Sequence, residues 1–121
     1  MDCEFIEKEG QGYILCRKPD QPLRTERDVL DLVSACMEHN SYKLLLQEEA
    51  LSAGFYNLRT GLAGTALQKF INYHIKAAAV IRTEVTAQGR FRELLAELNK
   101  GRDFRVFGSR DEAESWLLGG I

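Results

Sequence analysis

A chain of 121 residues, 45% hydrophobic and 28% charged, has the size and composition of one globular domain able to bury a core. Its formal net charge of -2 supplies no basic field for nucleic acid or anionic lipid. No apolar run approaches the length needed to cross a bilayer.

Met1 to Glu9 alternates acidic and apolar residues, unlike the basic-then-apolar pattern of a signal peptide, so a cytoplasmic location is expected. Cys3, Cys16 and Cys36 are an odd number with no Cys-x-x-Cys spacing, so neither a disulfide framework nor a zinc knuckle is expected.

In chain order, Cys3 to Lys8 and Tyr13 to Arg17 read as a β-hairpin about Gly10-Gln11-Gly12. A turn centred on Gln11 sets Ile6 opposite Cys16 and Cys3 opposite Pro19, keeping the two cysteines apart. Pro19, Asp20 and Pro22 mark a loop. Thr25 and Asp28 form a capping-box-like start to a helix whose inner face is Val29, Leu32, Val33 and Cys36 and which closes at His39-Asn40. Lys43 to Gln47 is a strand whose unbroken Leu44-Leu45-Leu46 suits cover on both faces. Glu48 to Leu58 reads as a loop with one helical turn from Ser52.

A second helix follows Arg59-Thr60-Gly61 and turns Ala63, Ala66, Leu67 and Phe70 inward. Ile75 to Ile81 is a further buried strand, and Ala77 to Ala79 permit close approach of a helix. A third helix carries Phe91, Leu94, Leu95 and Leu98 and ends at Asn99-Lys100-Gly101. Phe104 to Phe107 is the last strand, and Ser109 to Glu112 caps a final helix holding Ala113, Trp116 and Leu117. The order β-β-α-β-α-β-α-β-α predicts one α/β domain over residues 1–121, with a mixed, mostly parallel five-stranded sheet.

That order resembles the STAS domains of bacterial anti-sigma-factor antagonists and of the cytoplasmic tails of sulfate transporters. In that family a short Asp-Ser-Ser/Thr-Gly-Leu stretch opens the helix after the central strand, and the residue before the glycine is the phosphate acceptor. Here Thr60 takes the acceptor position and Gly61-Leu62 match the Gly-Leu pair after it, while Leu58 and Arg59 replace the acidic residue. Over nearly the whole chain the sequence is also similar to a bacterial family catalogued as a domain of unknown function and itself STAS-like. The residues carrying this are Arg59 to Gly64, Gln68-Lys69-Phe70, Asn72-Tyr73, Phe91-Arg92 and Asn99-Lys100-Gly101. The resemblance implies a regulatory module with a protein partner or self-association, with Thr60 as phosphoacceptor.

The residues themselves make the helix-start loop the first candidate. Free amides and the positive dipole end favour an anion, Gly61 and Gly64 admit one to the backbone, and Arg59 and Thr60 add a cation and a hydroxyl. Thr60 fits equally as an N-cap, with the glycines serving turn geometry. The spacing is not that of a Walker A loop.

Ligands of open α/β sheets bind beyond the carboxyl ends of parallel strands, which here carry Glu48, Glu49, Arg82, Thr83 and Ser109. Glu48 or Glu49 as base and Arg59 as anion holder would make a small-anion binder or hydrolytic enzyme, although both acids fit equally as solvated side chains. No complete catalytic constellation, cofactor motif or metal-ligand spacing is present in the sequence; His39 reads as a helix-end contact, His74 as a junction residue and Cys36 as core. Arg90, Arg92, Arg102, Arg105 and Arg110 read as a solvated basic face, and Trp116 and Leu117 as either an inner helix face or a partner surface.

Overall fold

The computed structural model describes residues 3–17, 23–56, 61–82 and 89–119. Strands β1 (Cys3–Lys8), β2 (Gln11–Cys16), β3 (Lys43–Gln47), β4 (Lys76–Val80) and β5 (Phe104–Phe107) form one sheet in the order β1-β2-β3-β4-β5. Only β1 runs antiparallel to its neighbour; the other pairs are parallel. Between and after the strands lie α1 (Glu26–Glu38), α2 (Leu62–Asn72), α3 (Gly89–Leu98) and α4 (Arg110–Leu117), with a 3-10 turn at Glu48–Ala50 and a single helical turn at Ala53–Tyr56.

Sequential strand order fixes where the helices go. Each crossover steps the same way across the sheet, so crossovers of one hand deliver their helices to one face. Leu44, Leu46, Ala77 and Ala79 meet α1, α2 and α3 there, through Val29, Leu32, Ala66, Phe70, Phe91 and Leu95. Among the described residues only α4, which follows the last strand and crosses nothing, covers the opposite face, setting Ala113 and Leu117 on Tyr13, Leu15, Leu45 and Ala78. The expected use of the alanines is therefore met on both faces.

Local capping agrees with the sequence. Thr25 Oγ1 accepts from the Asp28 amide at 3.3 Å while Asp28 Oδ2 accepts from the Thr25 amide at 3.1 Å, a complete capping box. Burial pushes the Asp28 carboxyl up, but bonds from the Arg24 and Thr25 amides outweigh it and leave the group below its usual value. Ser109 Oγ accepts from the Glu112 amide at 3.3 Å and so starts α4.

The hairpin differs from its sequence expectation. Its turn is Glu9-Gly10, with φ of 53° and 79°, the two positive φ values of a tight hairpin turn. Lys8 then pairs with Gln11, Ile6 with Tyr13, and Cys3 with Cys16, so the cysteines face each other with Cα atoms 4.2 Å apart and form a disulfide. Relative to the expected pairing the register moves by three residues, an odd number that exchanges the faces of β1. The physical reason is Gly12: it continues β2 as a strand residue and lies beneath the Phe5 ring, where a Cβ would collide with it. Cys36 is core as expected, and burial pushes its thiol up to about 12.

One polar cluster ties α4 to the hairpin. Fully buried Tyr13 donates its hydroxyl to Glu114 Oε2 at 2.6 Å and accepts from Arg110 Nη2 at 3.2 Å, while Lys8 Nζ donates to Glu114 Oε1 at 2.6 Å. Hydrogen bonds from Lys8 and then Tyr13 hold the Glu114 carboxyl below its ordinary range. Tyr13→Phe removes a bond to a charged acceptor and should lower unfolding free energy by about 1–2 kcal/mol in chemical denaturation; an unchanged midpoint would show that the Tyr13 hydroxyl does not help seat α4.

Candidate functional site

Because β3 and β4 are in register through Gln47 and Val80, their carboxyl ends release Glu48 and the Ile81-Arg82 segment side by side. Glu48 Oε1 accepts the Arg82 backbone amide at 2.7 Å, and the guanidinium donates from Nε to both carboxylate oxygens, at 3.1 and 2.8 Å. A further approach of 2.8 Å joins Arg82 Nη2 to Oε2. Two of the expected strand-end residues are thus brought together, as partners of each other.

The chemistry of Glu48 follows from that clamp. The Arg82 side chain first, and its amide second, hold the Glu48 carboxyl below the ordinary carboxylate range. A general base working near neutrality needs the opposite displacement. The clamp's contribution to stability is present above the unfolded carboxylate pKa and is lost as pH falls through the depressed folded value. Glu49 is exposed beside it in the 3-10 turn. Ser109 is engaged at the start of α4, its hydroxyl also donating to Glu112 Oε1 at 3.1 Å.

Arg59, Thr60 and Thr83 lie outside the described residues. The helix start that follows Arg59 and Thr60 in sequence is described from Gly61 onward. The N-cap of α2 is Gly61 at φ 73°, with its carbonyl accepting the Thr65 amide at 2.9 Å and with no side-chain cap. The cap position therefore belongs to glycine and not to Thr60, because the chain enters α2 in a left-handed conformation that side chains disfavour.

Gly64 stands in the first turn, exposed, and a Cβ built on it meets nothing within 4 Å among the described residues. Among the described residues packing gives no reason for a glycine in that position, and glycine in a helix costs about 0.5–1 kcal/mol relative to alanine.

The opposite end of the sheet holds a constellation that sequence reasoning missed. Helices α1 and α2 both end in a Schellman motif whose left-handed residue is not glycine: Asn40 at φ 51° and His74 at φ 58°. The Ser41 amide donates to Cys36 O at 2.9 Å in one, and the Ile75 amide to Phe70 O at 2.8 Å in the other. These matching junctions set His39, Tyr42 and Lys43 beside His74 and Lys76 around an open cleft of about 440 Å³. Phe5 stacks on His39 with ring centroids 5.4 Å apart. The available signal was the recurrence of His, Tyr and Lys at two successive helix-to-strand junctions leading into parallel strands. Among the described residues no group of three or more His, Cys, Asp or Glu side chains is arranged to hold a metal, and no helix is long and apolar enough to cross a membrane.

Residues 8–117 match the family described as Domain of unknown function (DUF4180). The chain belongs to that family. The match runs from the end of β1 through α4, leaving Cys3 outside it. Comparisons with curated proteins and with solved structures give no match.

The two glycines of the helix start are separable by stability. Gly61→Ala should cost about 1–2 kcal/mol, because alanine must take the left-handed conformation. Gly64→Ala should raise stability by about 0.4–1 kcal/mol, by restricting the unfolded chain without a clash. Denaturant midpoints check both, and a destabilising Gly64→Ala would mean that the glycine serves the fold.

Proposed function

We propose that this domain is a non-enzymatic, STAS-like regulatory module that docks a protein partner through the start of α2, with Thr60 as a phosphoacceptor switch. The observation that supports the docking face is Gly64: an exposed helical glycine whose Cβ would meet nothing among the described residues offers backbone to a close-approaching partner. The order of elements on which the STAS resemblance rests, a hairpin followed by alternating helices and strands, is the order of this sheet. Phosphate on Thr60 would add nearly two negative charges beside the amides at the helix start, and so change how the loop meets a partner. Arg59, where the resembled family has an acid, would supply a cation next to that charge.

The second reading, a small-anion binder or hydrolytic enzyme at the strand ends, draws on the convergence of Glu48 and Arg82. It ranks lower because Arg82 occupies the Glu48 carboxylate and holds it ionised, which leaves Glu49 as the base and Arg59 as the anion holder. Cytoplasmic residence is part of the regulatory proposal. There the thiol pool would keep Cys3 and Cys16 reduced for much of the time, and the hairpin would rest on its turn and ladder.

Intact-mass and peptide mass spectrometry on protein taken from its own host tests the switch. The expected result is phosphate on Thr60 together with a co-purifying protein, and loss of that protein on Thr60→Glu or Thr60→Ala. A partner retained by both variants would remove Thr60 from the account. An unmodified chain carrying a tightly held small molecule would favour the ligand-binding reading.

A further inference from the structure

The amino-terminal end of the sheet carries a feature that folding disfavours. Lys43 and Lys76 are directly opposite each other in register on β3 and β4, and like charges placed so on neighbouring strands repel. Neither has a carboxylate partner among the described residues. The Lys43 Nζ donates to the amide oxygen of Gln11 at 3.1 Å, and the Lys76 Nζ to the Trp116 carbonyl at 2.6 Å. Each ammonium has three donors, so each retains two for another acceptor. Lys76 also lies over the Trp116 ring, 4.4 Å from its centroid, with the Arg105 guanidinium 5.6 Å from the same ring. Burial first, then the charges of Lys43, Arg105 and Arg102, lower the Lys76 pKa, the response of a cation among cations.

A second recess of about 420 Å³ adjoins the first, sharing Tyr42 and His74 with it and adding Met37, Asn72 and Tyr73. Of the six large apolar side chains exposed among the described residues, four (Phe5, Met37, Tyr42 and Tyr73) line these two recesses. Lys43 and Lys76 line the first recess and exposed aromatic side chains line both, a combination complementary to an aromatic anion. Each recess has the size of a small-molecule site, and aromatic side chains take planar rings while ammonium groups take phosphate or carboxylate.

We propose that the amino-end cleft is a binding site for a small aromatic anion, whose phosphate or carboxylate bridges Lys43 and Lys76 while its ring lies against Tyr42 and Tyr73. The site is at the opposite end of the parallel strands from the docking face and does not depend on it. His39 and His74 line the same cleft, at the junctions whose left-handed residues are Asn40 and His74. The bound anion relieves the Lys43–Lys76 repulsion, so occupancy stabilises the fold by mass action.

Phenyl phosphate is the probe, with inorganic phosphate and phenol as half-probes, followed by amide chemical shifts across residues 39–43 and 73–76. Millimolar phenyl phosphate should move these signals and raise the melting midpoint, and each half-probe should bind about tenfold or more weakly. Lys43→Ala should weaken phenyl phosphate about tenfold without lowering the apo melting midpoint, since it also removes the like-charge pair. Tyr73→Ala, at an exposed position, should weaken phenyl phosphate while leaving inorganic phosphate unchanged. Signals unmoved by phenyl phosphate, or binding indifferent to both substitutions, would overturn the site.

Discussion

Double-sided burial of the β3–β4 pair constrains everything else in this protein. Leu44, Leu46, Ala77 and Ala79 are sealed by α1, α2 and α3, and Leu45 and Ala78 by α4. At roughly 25 cal/mol per Å² of apolar surface, such cover dominates the stabilising side of a domain this size. It also closes both faces of β3 and β4, while the edge strand β1 stays largely exposed. Both ends of this sheet carry polar groups whose placement the core dictates.

The two ends are built differently. At the carboxyl end, register between Gln47 and Val80 delivers Glu48 to Arg82, and the pair satisfies itself. Charge there is neutralised internally, which argues against acid–base work by Glu48. At the amino end the same register delivers Lys43 to Lys76, and the charges are not neutralised by each other or by a described carboxylate. One pairing rule therefore gives a closed ion pair at one end and an open cationic cleft at the other.

Much of the fold is legible in the sequence because its signals are local. Thr25 with Asp28, and Ser109 with Glu112, announce helix starts through neighbours three residues apart; Leu44-Leu45-Leu46 announces a strand covered on both faces. The hairpin register is not legible in the same way. Tyr13 to Cys16 are all buried, so β2 has no alternation to fix its pairing, and the turn places Glu9, a residue with a Cβ, in the left-handed region. The disulfide depends on that register and was missed with it. At the candidate sites, Gly61 and Gly64 stand out in sequence, whereas the joining of Lys43 to Lys76 and of Tyr42 to Tyr73 comes only from the parallel alignment of two junctions. Family membership, which covers residues 8–117, adds no activity to either end.

The central claim, that the start of α2 is a docking face kept bare by Gly64, is tested most directly by measuring partner retention on Gly64→Gln. The variant is compared with the native chain after purification from the native host, alongside its denaturant midpoint. The account predicts a fold at least as stable as the parent and a co-purifying partner lost. A stable variant that keeps its partner in full would contradict the claim and place recognition elsewhere on the molecule.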